Sequence, residues 1–323
     1  MSHAASLEEF ARRVVAREPG AVARAISLVE DRRAQAEPST LELLRALRRA
    51  ADPLRAARIG ITGPPGVGKS TLVSALAKVT RASGRSVGVL AVDPSSPRSG
   101  GALLGDRARI DIDPDDTGLF VRSMASGGEL GGLARAAGAA IDVLSSAYDV
   151  VLVETTGVGQ SETDVEHVTD TVLMVIQPGS GDVLQFLKAG IIEIPDVFVV
   201  NKADLGVIAE RAVAELSSAL AAVHAEGVSA APAIVLTSAA SLSGIPELLA
   251  ALDAHRAGLV SAGKLSERRA RATAAWALRL FLQRWGEQGV LEVGGKTMLL
   301  GALEQRVRRG ATAVEAASEI RPR

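Results

Sequence analysis

Short apolar runs recur through the middle of this chain with helix-length amphipathic spacers between them, whereas both ends show helical periodicity alone. The runs are RIGIT (58–62), VGVLAV (87–92), LFVRS (119–123), DVVLVE (149–154), TVLMVIQ (171–177), DVFVVN (196–201) and AIVLTS (233–238). Several are apolar on both faces, as strands buried in a parallel sheet are, and the spacers are long enough to be crossover helices. They predict a doubly wound, mostly parallel α/β sheet with helical N-terminal and C-terminal extensions. Residues 1 to about 55 read as helices separated by Pro19-Gly20 and Pro38; Ser39 and Glu42 are spaced as a capping box before LELLRALRR, and Asp52-Pro53 ends that helix. After Ile245-Pro246 a helix runs to about Val260, and KLSERRARATAAWALRLFLQRW and LLGALEQRVRRG continue the helical period. The expected division is a helical extension over 1–56, the α/β domain over 57–262 and a helical arm over 263–323. The arm has apolar faces but little core of its own, so it either packs back on the domain or pairs with a second copy. Trp276 and Trp285 are expected near one face of its helix, as packing residues.

Composition narrows the chemistry. Hydrophobic residues make up 47% of the 323 but aromatics only 2%, so the core is mainly aliphatic and stacking platforms for single-stranded nucleic acid are nearly excluded. A formal net charge of −1 gives no reason to expect a polyanionic or membrane partner. The absence of cysteine removes disulfides, thiolate metal sites and a cysteine nucleophile, and suits a reducing, cytoplasmic setting. The N-terminal stretch MSHAASLEEFARRVVAREPG carries glutamates in an amphipathic pattern rather than an apolar signal core, and no apolar stretch reaches membrane-spanning length.

Between the first strand and the helix that follows it, Gly63-Pro64-Pro65-Gly66-Val67-Gly68-Lys69-Ser70 matches G-x-x-x-x-G-K-[ST] at every fixed position. In such a phosphate loop the glycines let successive backbone N–H groups converge on phosphate oxygens, the lysine reaches the outer phosphates and the serine hydroxyl can ligate Mg²⁺. The expected fold is therefore that of a P-loop NTPase. Asn201-Lys202-Ala203-Asp204 directly follows a strand, where an N-K-x-D sequence reads guanine: a carboxylate fixed there accepts from N1–H and the 2-amino group, a donor pair that adenine lacks. Thr237-Ser238-Ala239 closes the next strand and resembles the S-A element that meets guanine O6. Ordinary Asx turn chemistry is the alternative for Asn201 and Asp204.

Glu154-Thr155-Thr156-Gly157 ends a strand where phosphate-loop enzymes place an acid acting through Mg²⁺ and a glycine N–H that meets the γ-phosphate. Asp93 ends the neighbouring strand and Asp106 follows SGGALLGDR, so both can face Mg²⁺ or its waters; an Asp-Pro turn is the alternative for Asp93. The acidic DIDPDD run (111–116) lacks the Gly and terminal Glu of a calcium loop and reads as solvated.

Taken together, GPPGVGKSTL (63–72), AVDPSSPRSGGALLGDRARI (91–110), RSMASGGELGGLA (122–134), ETTGVGQSETDV (154–165), QPGSGDVLQFLKAGI (177–191) and VVNKADL (199–205) are similar to the MeaB/ArgK-type GTPases. These G proteins accompany adenosylcobalamin-dependent acyl-CoA mutases. The resemblance is dense over about 58–240 and rests on layout alone at the helical ends. It implies phosphate contacts from Gly66, Gly68, Lys69, Ser70 and Thr71, Mg²⁺-site roles for Ser70, Asp93, Asp106 and Glu154, and guanine recognition by Asn201, Lys202 and Asp204. It implies a homodimer paired through the C-terminal arm, and a third switch over 177–188 in which Asp182, Gln185 and Lys188 are the matching polar positions. Val183 stands where the family usually has an acid and Phe186 where it usually has a small residue, so this switch departs from the pattern.

The implied activity is Mg²⁺-dependent hydrolysis of GTP to GDP, slow alone and faster with a partner, through Lys69, Asp93, Asp106, Glu154 and Gly157. Gln160, Arg98, Arg107 and Arg109 are candidates for completing that site, and spacing selects none of them. The implied role is as chaperone of a methylmalonyl-CoA mutase or of a 2-hydroxyisobutyryl-, isobutyryl- or ethylmalonyl-type mutase. The cobalamin belongs to the partner, because no histidine here sits in D-x-H-x-x-G. Three other readings compete: a nickel or zinc metallochaperone, disfavoured by absent Cys and scattered His; an ATP-dependent kinase, disfavoured by N-K-A-D; and a nucleotide-gated adaptor with negligible hydrolysis.

Overall fold

The seven apolar runs pair side by side. In the computed structural model, which describes residues 3–93, 116–125, 133–155, 164–179, 193–224 and 231–322, they form β1 (Ala57–Thr62), β2 (Val87–Asp93), β3 (Leu119–Ala125), β4 (Val150–Glu154), β5 (Thr171–Ile176), β6 (Val197–Val200) and β7 (Ala233–Leu236). Their order is β3-β2-β4-β1-β5-β6-β7 and every pair is parallel. Parallel pairing brings all strand C-termini to one rim, with β1 in the middle, which is where open α/β sheets gather ligand-binding loops. Each strand lies within two residues of the sequence-based expectation.

Ten helices cover the sheet among the described residues: α1 (His3–Val15), α2 (Pro19–Glu30), α3 (Glu37–Ala50), α4 (Lys69–Ala82), α5 (Ala137–Ala147), α6 (Val207–His224), α7 (Ile245–Ser261), α8 (Leu265–Glu292), α9 (Lys296–Arg308) and α10 (Ala313–Ser318). On one face Ile59, Ile61 and Val89 pack on Leu72 and Leu76 of α4 and Leu248 of α7. On the opposite face Phe198 and Met174 meet Leu216 and Leu220 of α6. On that face too Leu90, Val151 and Val153 share one buried cluster with α5, with α1 to α3, and with Trp276, Phe281 and Leu303 of the C-terminal helices. The arm therefore packs back on its own domain, and burial of Trp276 supplies much of the reason.

Two local expectations change. The capping box at Ser39 and Glu42 does not form: α3 starts earlier, at Glu37, with no side-chain cap and with Pro38 in its first turn, where the fixed φ of proline suits a helix start. A capping box is present instead at Thr312 and Glu315, ahead of α10. Nor do Trp276 and Trp285 share a face. Nine residues are about two and a half turns, which puts them on opposite sides, and Gly286, at φ 64°, breaks the helix just beyond. Trp276 is 1% exposed and Trp285 38%. Among the described residues no helix is long and apolar enough to cross a membrane.

Candidate nucleotide site

Between β1 and α4 the loop curls through left-handed backbone at Gly63, Gly66 and Gly68. Two of these positions exclude a side chain. A Cβ on Gly63 would stand 2.2 Å from the Val175 carbonyl oxygen, and one on Gly68 2.6 Å from Asn201 Nδ2. Lys69 opens α4 as a buried residue whose Nζ donates to the carbonyls of Gly63 at 2.8 Å and Pro64 at 2.9 Å. Its charge is thereby held inside the curl of the loop, beside the first N–H groups of the helix, which favour an anion. Val67 is buried under the same loop, while Thr71 lies in the first turn of α4.

Ser70, next in that turn, donates its hydroxyl to Glu154 Oε1 at 2.7 Å. Glu154 ends β4, between Ile61 of β1 and Ala91 of β2, and is 5% exposed. Thr155 continues the connection: its N–H donates to the Ile61 carbonyl and its hydroxyl to Thr62 Oγ1 at 3.1 Å. Asp93, the last residue of β2, lies two positions beyond Ala91 and so reaches the same rim. The structure thus brings Ser70 and Glu154 together and places the Asp93 backbone beside them. Asp106, Gly157, Asp182, Gln185 and Lys188 lie outside the described residues, as do Val183, Phe186, Gln160, Arg98, Arg107 and Arg109.

Asn201 follows β6 and is 3% exposed. Its Nδ2 donates to the Val67 carbonyl at 3.0 Å, while Oδ1 accepts from the Ala239 N–H at 3.2 Å and from the Thr237 hydroxyl at 3.4 Å. One buried amide therefore links the phosphate loop to the end of β7, with both polar atoms satisfied. Lys202 holds left-handed backbone, φ 65° and ψ 47°, uncommon for a residue with a side chain. The Ala203 N–H bonded to the Thr237 carbonyl fixes that conformation, and Lys202 Nζ reaches Gln177 Oε1 at 2.7 Å. Exposed Asp204 accepts from Ser238 Oγ at 2.8 Å. Ala239 is buried beside them.

Two supporting roles were not foreseen by sequence reasoning, which named Thr237 only as the start of Thr237-Ser238-Ala239. Thr237, wholly buried, helps hold Asn201, and Thr62 holds Thr155. Thr62 closes β1 and Thr237 directly follows the last residue of β7, so a threonine at the end of an apolar run was the available signal.

The arrangement gathers a left-handed glycine loop, a buried lysine, a serine–carboxylate pair and an N-K-x-D turn on one rim. A family model described as methylmalonyl Co-A mutase-associated GTPase MeaB matches residues 22–288. The chain belongs to the MeaB family of GTPases. A relative from Pyrococcus abyssi, named as a GTPase, is 44% identical over 267 residues, covering 81% of this chain and 80% of its own. GTPase ArgK of Escherichia coli is 35% identical over 279 residues, 85% of this chain and 84% of its own. The mouse protein named methylmalonic aciduria type A homolog, mitochondrial, is 37% identical over 238 residues, 73% of this chain and 56% of its own. The solved structure of a LAO/AO transport system kinase superposes with a TM-score of 0.67 at 27% identity, covering 99% of this chain and 98% of that one. The MeaB resemblance read from the interior motifs and the P-loop α/β fold are both borne out. Guanine-nucleotide binding follows for this MeaB-family chain.

Proposed function

We propose that this chain hydrolyses GTP to GDP and phosphate with Mg²⁺, and that the cycle gates an adenosylcobalamin-dependent acyl-CoA mutase, methylmalonyl-CoA mutase in the first instance, in the cytoplasm. The observation that carries the reading is the Asn201 node, which ties a base-reading turn to a phosphate loop in one buried network. Asp204, steadied by Ser238, presents the carboxylate for N1–H and the 2-amino group, and the buried Ala239 N–H region lies near the base's carbonyl edge. Lys69 and the loop N–H groups hold the outer phosphates.

The donors suit Mg²⁺. Ser70 and Glu154 are hard oxygen ligands 2.7 Å apart. Mg²⁺ is commonly held in this way, by one or two protein oxygens together with substrate phosphates. When bound it neutralises charge developing on the transferring phosphoryl. Ser70 and Glu154 would hold the ion, with Asp93 and Asp106 completing the set, and the Gly157 N–H would steady the γ-phosphate.

Asp182, Gln185 and Lys188 carry the nucleotide state to the partner. The arm of a second copy completes a homodimer through the apolar residues left exposed on α8 and α9, Trp285, Leu291 and Met298. Side-by-side hydrolysis of GTP and ATP, with and without the mutase and Mg²⁺, tests the whole reading: GTP is turned over in preference, Mg²⁺ is required and the mutase accelerates turnover. Equal use of ATP overturns the guanine assignment, and a rate indifferent to the mutase overturns the chaperone role.

A further inference from the structure

At the end of β1 opposite the phosphate loop lies a cavity of about 440 Å³, walled by α3, the turn at 51–54, α5, α8 and the end of α9. Its size is that of a small-molecule site, for which about 300–1,000 Å³ is usual. Leu44, Leu47, Leu54 and Val307 supply an apolar, wholly aliphatic wall. Set into that wall are Arg48, Arg58, Arg269 and Arg308, against Asp52, Asp142 and Glu267.

The acids are already engaged. Asp52 accepts from the Leu54 N–H, Glu267 binds Arg271 and Asp142 binds Arg58 Nη2 at 2.8 Å. The cations are not all answered. Arg269 is committed to Asp170 and to the carbonyls of Pro53 and Ala56. Arg58 is 8% exposed, and its buried Nε has no acceptor. Burial, then repulsion from Arg269, lowers its pKa below that of a free guanidinium. Ser145, one turn after Asp142 on the same face of α5, has a buried hydroxyl with no partner. Among the described residues no acid pairs with Arg48 or Arg308 at the cavity mouth.

We propose that this cavity binds a small aliphatic organic acid, its carboxylate held among Arg58, Arg48 and Arg308 and its hydrocarbon body laid on Leu44, Leu47, Leu54 and Val307. A buried guanidinium with one carboxylate partner and an unsatisfied N–H gains a second acceptor, at a site where charge-assisted hydrogen bonds are strong. The aliphatic wall selects the rest of the ligand. The occupant touches the N-terminal helices, the sheet domain and the arm together, so it stiffens the docking of the arm.

Octanoate is the probe, titrated calorimetrically into the full-length GDP-bound protein beside acetate and inorganic phosphate, with thermal unfolding as a second readout. Octanoate binds once per chain and raises the unfolding midpoint, and acetate and phosphate bind at least about tenfold more weakly. Arg48→Ala and Arg308→Ala, at partly exposed and exposed positions, each weaken octanoate by up to about tenfold, leaving the ligand-free midpoint and basal GTP hydrolysis as they were. Ala270→Phe, which fills the cavity, abolishes binding. Octanoate that fails to bind at millimolar concentration, phosphate that binds as well as octanoate, or arginine variants with unchanged octanoate affinity each overturn the proposal.

Discussion

The side chain of Asn201 and the carbonyl of Val67, 134 positions apart in sequence, meet at 3.0 Å. The link is a bond between two loops that each contact a different part of the proposed ligand, so the two halves of the site are set relative to one another by one amide. Asn201→Ala leaves the Val67 carbonyl and the Ala239 N–H without their partner, at about 1–3 kcal/mol for a buried group so stranded. Chemical denaturation reads that loss of stability. Titration with a fluorescent GDP analogue shows affinity lower by at least about tenfold.

Asp204→Asn replaces a carboxylate with an amide that presents a donor to a donor-rich edge. The preference for GTP over ATP, measured as a ratio of dissociation constants, falls by at least about tenfold, because a recognition site that loses its charged acceptor loses discrimination more than overall grip. Ser238→Ala, which removes the hydroxyl bonded to Asp204, gives a smaller change in the same direction.

Glu154→Gln keeps an acceptor for the Ser70 hydroxyl and removes the negative charge. Nucleotide affinity in a chelator is unchanged, whereas the Mg²⁺-dependent rate falls roughly a hundredfold, as loss of an outer carboxylate around a catalytic ion does. A Mg²⁺ titration of single-turnover hydrolysis separates the two effects.

Asp149 sits at the far end of the sheet from the nucleotide rim. Burial raises the pKa of its carboxyl, but the Ser86 hydroxyl and N–H and the Arg55 guanidinium outweigh it and hold the value near 2 against an ordinary 3.8. Because the folded value is the lower one, the stabilisation is complete above about pH 4 and is lost as pH falls toward 2. It amounts to about 1 kcal/mol for a carboxylate still partly open to solvent. In Asp149→Asn, acid unfolding followed by circular dichroism is less steep over that interval.

Much of this architecture was legible in the chain. Buried parallel strands announce themselves because both faces are apolar, and Val150 to Glu154 is a clear case: four valine or leucine residues, then the acid at the rim. The glycine spacing of the phosphate loop and the Asn201 to Asp204 turn were equally readable, since their chemistry is local. What failed was what depends on geometry over distance. Ser39 and Glu42 have the spacing of a cap, yet Pro38 starts the helix before them. Trp276 and Trp285 look alike in a helical stretch, but two and a half turns set them on opposite sides. The cavity beside Arg58 had no signature, because its walls come from five segments that only the fold brings together.

Trp276 covers a face of α5 on which even Gly138 has no room for a methyl group, a Cβ there standing 2.4 Å from the indole nitrogen. That fit has a consequence for biosynthesis. The helices and strands up to about residue 260 leave the ribosome before Trp276 is made to cover this small-residue surface. Until the last helices emerge, the nascent protein carries an open slot waiting for its own tail, and that interval is when a chaperone or a second nascent copy has its chance to engage it.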